Sequence, residues 1–463
     1  MATLLFLDDH HLNLSRNVER RIGRPQRLDD YTYRDPLNEI AWGYPTVFRD
    51  EASGKWRMTY QHCSTTFPRI PLLAESDDGL RWHPRDTTQE AEIAGRLRVN
   101  QLLPVDAFSE WSTTVVDPYA PPEERYKGLV VEHTSRHFLK SHLWVSPDGV
   151  RWTERPGTEW QRIAGDPLSH AFWNEARQSY TFLSRPDWTD RRLTVFETKD
   201  WRTFSEPELA LQADALDTPL ANLYGMPVFP YEGIYIGFLW VYHPSQEVKG
   251  FSPHKFLGGN VDCQLAYSLN GRHFMRGLRT PFVPNGEPGE PDAGCVYPSH
   301  LRQLEDGSLL LYASASTHEH AMPGATSIVT YALRRDGFAY LRSSGGAGTV
   351  GTKPLLYRGG DIELNVQSQG GYAKAQLTDW SGRPLEGYTF DDCVPFSGDD
   401  SAWKPQWQGG KRVDELAGQA IRVEVELLNA RLYAIRGEIA SMYAGQCWRY
   451  VHEGIEPLPR SGF

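Results

Sequence analysis

The sequence predicts an all-β chain, a five-bladed β-propeller followed by a β-sandwich, and three observations carry that reading. One heptapeptide pattern recurs five times, an apolar hairpin precedes each copy, and beyond a small-residue stretch the pattern gives way to strict alternation.

The recurring pattern is Ser-Asp-Asp-Gly-Leu-Arg-Trp at 76–82, Ser-Pro-Asp-Gly-Val-Arg-Trp at 146–152, Thr-Lys-Asp-Trp-Arg-Thr-Phe at 198–204, Ser-Leu-Asn-Gly-Arg-His-Phe at 268–274 and Arg-Arg-Asp-Gly-Phe-Ala-Tyr at 334–340. Asp-Gly and Asn-Gly favour the positive backbone angles of a tight turn, and the aromatic that follows returns the chain to the sheet, so each copy reads as an outer hairpin. The inner hairpins run from Thr46 to Tyr60, Thr113 to Glu132, Ser169 to Ser184, Pro227 to Tyr242 and Val296 to Ser314, each around a polar turn. Inner plus outer hairpin makes a four-stranded antiparallel blade.

Around residues 343–348 the chain becomes Ser-Ser-Gly-Gly-Ala-Gly, a linker composition. Beyond it Ile421, Val423, Val425 and Leu427 alternate with Arg422, Glu424 and Glu426, and turn signals such as Ser381-Gly382 separate further strands, which predicts a sandwich. Helix is confined to a turn or two near Arg412 to Leu416. The expected division is 1–40 as a segment closing a blade edge or bridging to the sandwich, 41–343 as the propeller and 350–463 as the sandwich.

Among the 463 residues, 48 Lys and Arg against 59 Asp and Glu give a net charge of -11, with no long basic run. Such a field disfavours nucleic acid and anionic membranes as partners. Five widely spaced cysteines, without a CxxC or a Cys/His cluster, disfavour a disulfide framework or structural zinc. No metal or cofactor is expected. The N-terminus lacks a basic region and a cleavage site, and no apolar run reaches transmembrane length, so the expectation is a cytoplasmic protein. Oligomeric state is not legible.

Several stretches, among them Asn17-Val18-Glu19-Arg20-Arg21, the run from Tyr44 to Asp50 with Trp56-Arg57-Met58, the run from Asp117 to Lys127, Asp391-Asp392-Cys393 and Ala430-Arg431-Leu432-Tyr433, are strand and turn motifs. Through them the chain resembles bacterial proteins of the glycoside hydrolase family 32/43 type, in which a five-bladed propeller precedes a sandwich. The resemblance implies an enzyme hydrolysing fructosides, arabinosides or xylosides. Two family 32 signatures, Trp-Met-Asn-Asp-Pro-Asn and a Glu-Cys pair, are absent, and Asp117-Pro118 lies at the far turn of its hairpin, where it reads as a turn residue.

Propeller topology brings the residues before each first strand and after each second strand to one channel mouth. The candidate acids there are Glu39, Glu110, Asp166 and Asp292, with Glu290 as the substitute for Asp292. Paired carboxylates in a partly desolvated funnel acquire the separated pKa values that glycosidic cleavage needs. After the second strands come His62, His133, Arg185, His243, His318 and His320, suited to holding hydroxyls or tuning those acids. Trp42, Trp111 and Tyr224 offer faces for sugar stacking. Each has a structural reading beside the functional one: Asp166 and Asp292 as turn residues next to proline, the histidines as wall residues, Trp111 and Tyr224 as core aromatics, and His318 with His320 as an imitation of a metal site. The function expected is a glycoside hydrolase acting on a furanoside or small oligosaccharide substrate. The alternatives are a non-catalytic carbohydrate-binding propeller and a glycoside phosphorylase or transglycosidase.

Overall fold

A computed structural model describes residues 1–35, 42–62, 70–87, 89–93, 96–103, 109–135, 138–158, 170–185, 191–247, 257–320, 322 and 324–457. Of these, 42, 89–93, 96–99, 109–110, 132–135, 138–139, 246–247 and 257 are described by backbone alone. The chain forms two compact units, Pro25–Glu305 with Leu309–Leu333, and Met1–Arg24 with Asp306–Ser308 and Arg334–Phe463.

The first unit is the five-bladed propeller. Blade I runs Trp42–Arg49, Trp56–His62, Ile70–Ser76 and His83–Pro84, with Arg96–Gln101 and Gln89–Ile93 extending the same sheet. Blade II is Ser109–Val116, Tyr126–Ser135, Phe138–Ser146 and Thr153–Glu154, and blade III is His170–Asn174, Ser179–Ser184, Leu193–Thr198 and Glu208–Leu211. In blade IV the inner strand is broken into Asn222–Gly225 and Val228–Tyr231, followed by Ile234–Glu247, Leu257–Ser268 and Met275–Arg276. The break falls at Pro227, which has no N–H to give the ladder. Inner strands touch from blade I to II, II to III and III to IV, and the inner strand of blade V touches both blade IV and the inner strand of blade I.

The four outer turns within blades I to IV are one hydrogen-bonded device, which is why the sequence repeats. Ser76, Ser146, Thr198 and Ser268 each accept the backbone N–H three residues on through the side-chain hydroxyl oxygen, at 2.8, 2.8, 3.0 and 2.9 Å. Asp78, Asp148, Asp200 and Asn270 accept the N–H groups two and three residues on. These are Asx and ST turns, in which a short side chain replaces a backbone acceptor. The backbone N–H of Thr203 is the largest of the influences that hold the Asp200 carboxyl down to about 2.

The fifth copy departs from the expectation. Arg334 replaces the hydroxyl residue, and buried Asp336 turns to the Arg436 guanidinium and to Asn365 Nδ2 at 2.8 Å. The strand after it, Ala339–Ser343, pairs with Val18–Ile22 and Arg431–Gly437. Blade V is therefore Cys295–Gln303, Leu309–Ser316 and Thr326–Leu333, and its fourth strand is Gln26–Arg27 from the N-terminal segment. The propeller ends at Leu333 rather than residue 343.

The second unit is the sandwich. One sheet orders Val18–Ile22, Ala339–Ser343, Arg431–Gly437, Glu363–Gln367 and Asp399–Trp403, with Ala2–Leu5 against Arg431–Gly437. The other orders Leu12–Arg16, Gly348–Thr352, Ala420–Leu428, Leu355–Tyr357 and Ile439–Ser441, with Tyr372–Asp379 against Ala420–Leu428. Ile421, Val423, Val425 and Leu427 enter one core with Leu364, Val366 and Ile435, as the alternation requires. Val413–Leu416 is a single 3₁₀ turn, and an α-helix at Ala444–Glu453 was not foreseen. No helix among the described residues is long and apolar enough to cross a membrane.

Candidate functional site

On the propeller face where first strands begin and second strands end, blades III, IV and V bring polar groups together. Arg185 directly follows the second strand of blade III, and its guanidinium lies over the Tyr224 ring, 4.8 Å from the centroid, while Nη1 donates to the Tyr224 carbonyl at 3.3 Å. Arg191, just ahead of the third strand of that blade, places its guanidinium 4.8 Å from the same centroid and 5.0 Å from that of Tyr242. Its backbone N–H donates to Asn222 Oδ1 at 3.1 Å, and its carbonyl accepts from the Leu223 N–H, which fixes it to the inner strand of blade IV. The Tyr224 hydroxyl pairs with His320 Nε2 at 3.2 Å. The cluster is a stack of cations and phenols, in which each guanidinium draws on a negative ring face.

One residue on from Tyr242, His243 on the second strand of blade IV places Nε2 3.0 Å from Asp262 Oδ2 on the third strand. Asp262 is buried, and its Oδ1 has no hydrogen-bond partner among the described residues. The Asp262 hydrogen bond raises the His243 pKa, with burial acting in the opposite direction. The other imidazole nitrogen, Nδ1, faces the Thr218 hydroxyl at 3.4 Å. An imidazole held by a carboxylate at one nitrogen presents the other for proton transfer. Behind it Asp217 is gripped by Arg276 through two contacts of 2.6 Å.

The inner strands themselves carry a second feature. His170, Phe229 and His300, one from each inner strand of blades III, IV and V, touch in sequence at ring separations of 5.2 and 5.7 Å. His170 Nε2–H donates to the Val228 carbonyl at 2.8 Å. Burial pushes His170 down to about 4 and His300 down to about 3, so both are neutral over most of the pH range.

The sequence-derived candidates divide sharply. Asp166 and Glu39 lie outside the described residues. Glu110 and His133 are placed by backbone only, and both lie within strands of blade II, near the start of the first and near the end of the second, rather than before and after them. Trp42 likewise opens the inner strand of blade I. His62 ends the second strand of blade I and is buried. His318 is exposed, with Nδ1 at 2.6 Å from the Thr317 hydroxyl.

Three candidates are corrected. Asp292 is 2% exposed and both its oxygens are occupied, Oδ1 by Arg27 and Oδ2 by the Tyr331 hydroxyl, groups from the two outermost strands of blade V. It is a structural anchor for the closing strand. Its substitute Glu290 is engaged by the same Arg27 at 2.8 Å. Trp111 is 3% exposed, edge-on to Trp152 at 4.8 Å and closed over by Gly128, where any Cβ would meet the indole at 2.2 Å. Its Nε1–H donates to Thr114 at 3.0 Å, so it is a core residue. Tyr224 remains at the site, with the guanidinium groups of Arg185 and Arg191 on its ring.

Arg191, Tyr242 and Asp262 were missed. Asp262 comes from a third strand, which the strand-end rule does not count, and it reaches His243 only through the register that sets Val241 opposite Asp262.

No family model and no curated protein matches the chain. Among solved structures it is similar to an N-acetylgalactosamine deacetylase from F. plautii in complex with blood group B trisaccharide, with 12% identity, 68% of this chain and 96% of that chain covered, and a TM-score of 0.47. It is also similar to a beta-1,2-mannobiose phosphorylase from Listeria innocua, with 12% identity, 68% and 98% covered and a TM-score of 0.46. A thermostable family-43 glycoside hydrolase is similar at 14% identity, with 66% and 95% covered and a TM-score of 0.42.

Proposed function

We propose that the chain is a carbohydrate-active enzyme, a glycoside hydrolase working at the propeller face described above. The observation that carries the reading is the His243–Asp262 pair, with the Arg185–Tyr224–Arg191 stack: ionisable groups from blades III and IV at the strand ends where the topology predicts a site. Residues that only hold a fold have little reason to leave a buried carboxylate oxygen unpartnered at such a place.

In this reading Asp166 and Glu110, with Glu39 as the third acid, supply the carboxyl chemistry. One protonates the glycosidic oxygen as the anomeric C–O bond breaks. Another removes a proton from the water whose oxygen bonds to the anomeric carbon, and the products are a free sugar and the leaving alcohol. His243, oriented by Asp262, holds a proton near the reacting hydroxyls, and Arg185, His62, His133 and His318 contact the substrate. Turnover of a panel of aryl furanosides and pyranosides by the wild type, Asp166→Asn and Glu110→Gln tests it. Turnover by the wild type that drops at least 100-fold in one variant is expected. Sugar binding without any turnover would make the propeller a binding module instead.

A further inference from the structure

We propose that Arg191, with Arg185 beside it, is an oxyanion site, so that the ligand of this face carries a carboxylate or a phosphate. The inference rests on the reading of this face as the substrate face and names the class of group that it takes.

Arg191 is a guanidinium whose charge nothing described neutralises. Nη1 is buried without a hydrogen-bond partner, and no carboxylate among the described residues forms an ion pair with it. The contrast within the same propeller is direct. Buried Arg57 holds Asp50 at 2.8 Å, and Arg276 holds Asp217 at 2.6 Å. Arg191 instead lies between two phenol rings, with the Arg185 guanidinium over one of them. Ring faces attract a cation but do not accept its N–H donors in the plane of the fork, so Nη1 is left without an acceptor.

Among the described acids, Glu319 acts electrostatically on Tyr242 and accepts from the Ser245 hydroxyl at 3.1 Å. Its carboxylate is not within ion-pair distance of Arg191. A planar fork whose Nη1 lacks an acceptor matches the two oxygens of a carboxylate or phosphate, and a neutral hydroxyl makes poorer use of it. The same chemistry fits a uronic-acid residue and a phosphate group.

Titration calorimetry with inorganic phosphate, D-glucuronate and, as the neutral control, D-glucose tests the proposal on the wild type, Arg191→Gln and Arg191→Lys. At least one oxyanion is expected to bind more tightly than glucose, with a loss of 10-fold or more in Arg191→Gln and an intermediate loss in Arg191→Lys, which keeps the charge without the fork. Unchanged thermal unfolding of the lysine variant separates this from misfolding. Binding of glucuronate alone assigns an acidic sugar, and binding of phosphate alone assigns a phosphate group. If neither oxyanion outbinds glucose, or if Arg191→Gln binds them as the wild type does, the site is overturned. That result is distinct from failure of the hydrolase reading, which is decided by turnover of the aryl glycoside panel with an aryl glucuronide added to it.

Discussion

Arg27 and Asp292 form an ion pair that ties the N-terminal strand of blade V to the loop leading into that blade's first strand. The Asp292 side chain is 3% exposed and that of Arg27 15%, and the Tyr331 hydroxyl completes the carboxylate. Removing one member leaves the other charge buried and unpaired. Arg27→Ala should therefore destabilise the protein by about 3–5 kcal/mol. Denaturant unfolding checks this, and a loss below about 1 kcal/mol would mean that the pair does not hold the blade.

The inner-strand histidines set an acid limit on stability. Unfolded histidines titrate near 6.5, whereas His170 and His300 stay neutral down to about 4 and about 3. Between those values the unfolded chain binds more protons, so stability falls as pH drops, by about 1.4 kcal/mol per pH unit for each histidine, and levels off below the folded values. Thermal unfolding from pH 7 to 4 should show this slope. His300→Leu should remove roughly half of it, and an unchanged slope would place the proton uptake elsewhere.

His243 behaves in the opposite sense. Its pKa is raised by Asp262, so the stabilisation it contributes is complete below pH 6.5 and is lost as pH rises through the folded value. Asp262→Asn should lower the imidazole pKa, as read from its proton resonances during an NMR titration. An imidazole that titrates identically in both proteins would show that the pair is not formed in solution.

Trp111 illustrates how far the fold could be read from the chain and where that reading stopped. The four turn devices at 76–82, 146–152, 198–204 and 268–274 are local, each closing within three residues, so their chemistry stands in the sequence. The fifth looks alike, but Asp336 is claimed by Arg436, a hundred residues away, and no local pattern reports that. The site fails to be legible for the same reason. Strand-end counting reached Arg185 and His243, yet it put Asp292 and Trp111 in the channel, because whether a side chain faces the mouth depends on what packs against it. For Trp111 that is Trp152 and the bare Cα of Gly128.

A core role for Trp111 has a measurable signature. Trp111→Ala should cost roughly 3–5 kcal/mol, and Gly128→Ala should also destabilise, because its Cβ would overlap the indole. A sugar platform would instead lose ligand affinity with little change in stability. Chemical denaturation of both variants, alongside sugar binding, separates the two.

The central claim is that hydrolysis is run by acids at the channel mouth and that Asp292 is not one of them. The direct measurement is kcat/KM on an aryl glycoside turned over by the wild type, compared between Asp166→Asn and Asp292→Asn and normalised to folded protein. A fall of at least 100-fold is expected in Asp166→Asn, with the rate of Asp292→Asn within a few-fold of the wild type despite its lower stability. Full activity in Asp166→Asn together with an inactive but folded Asp292→Asn would contradict it.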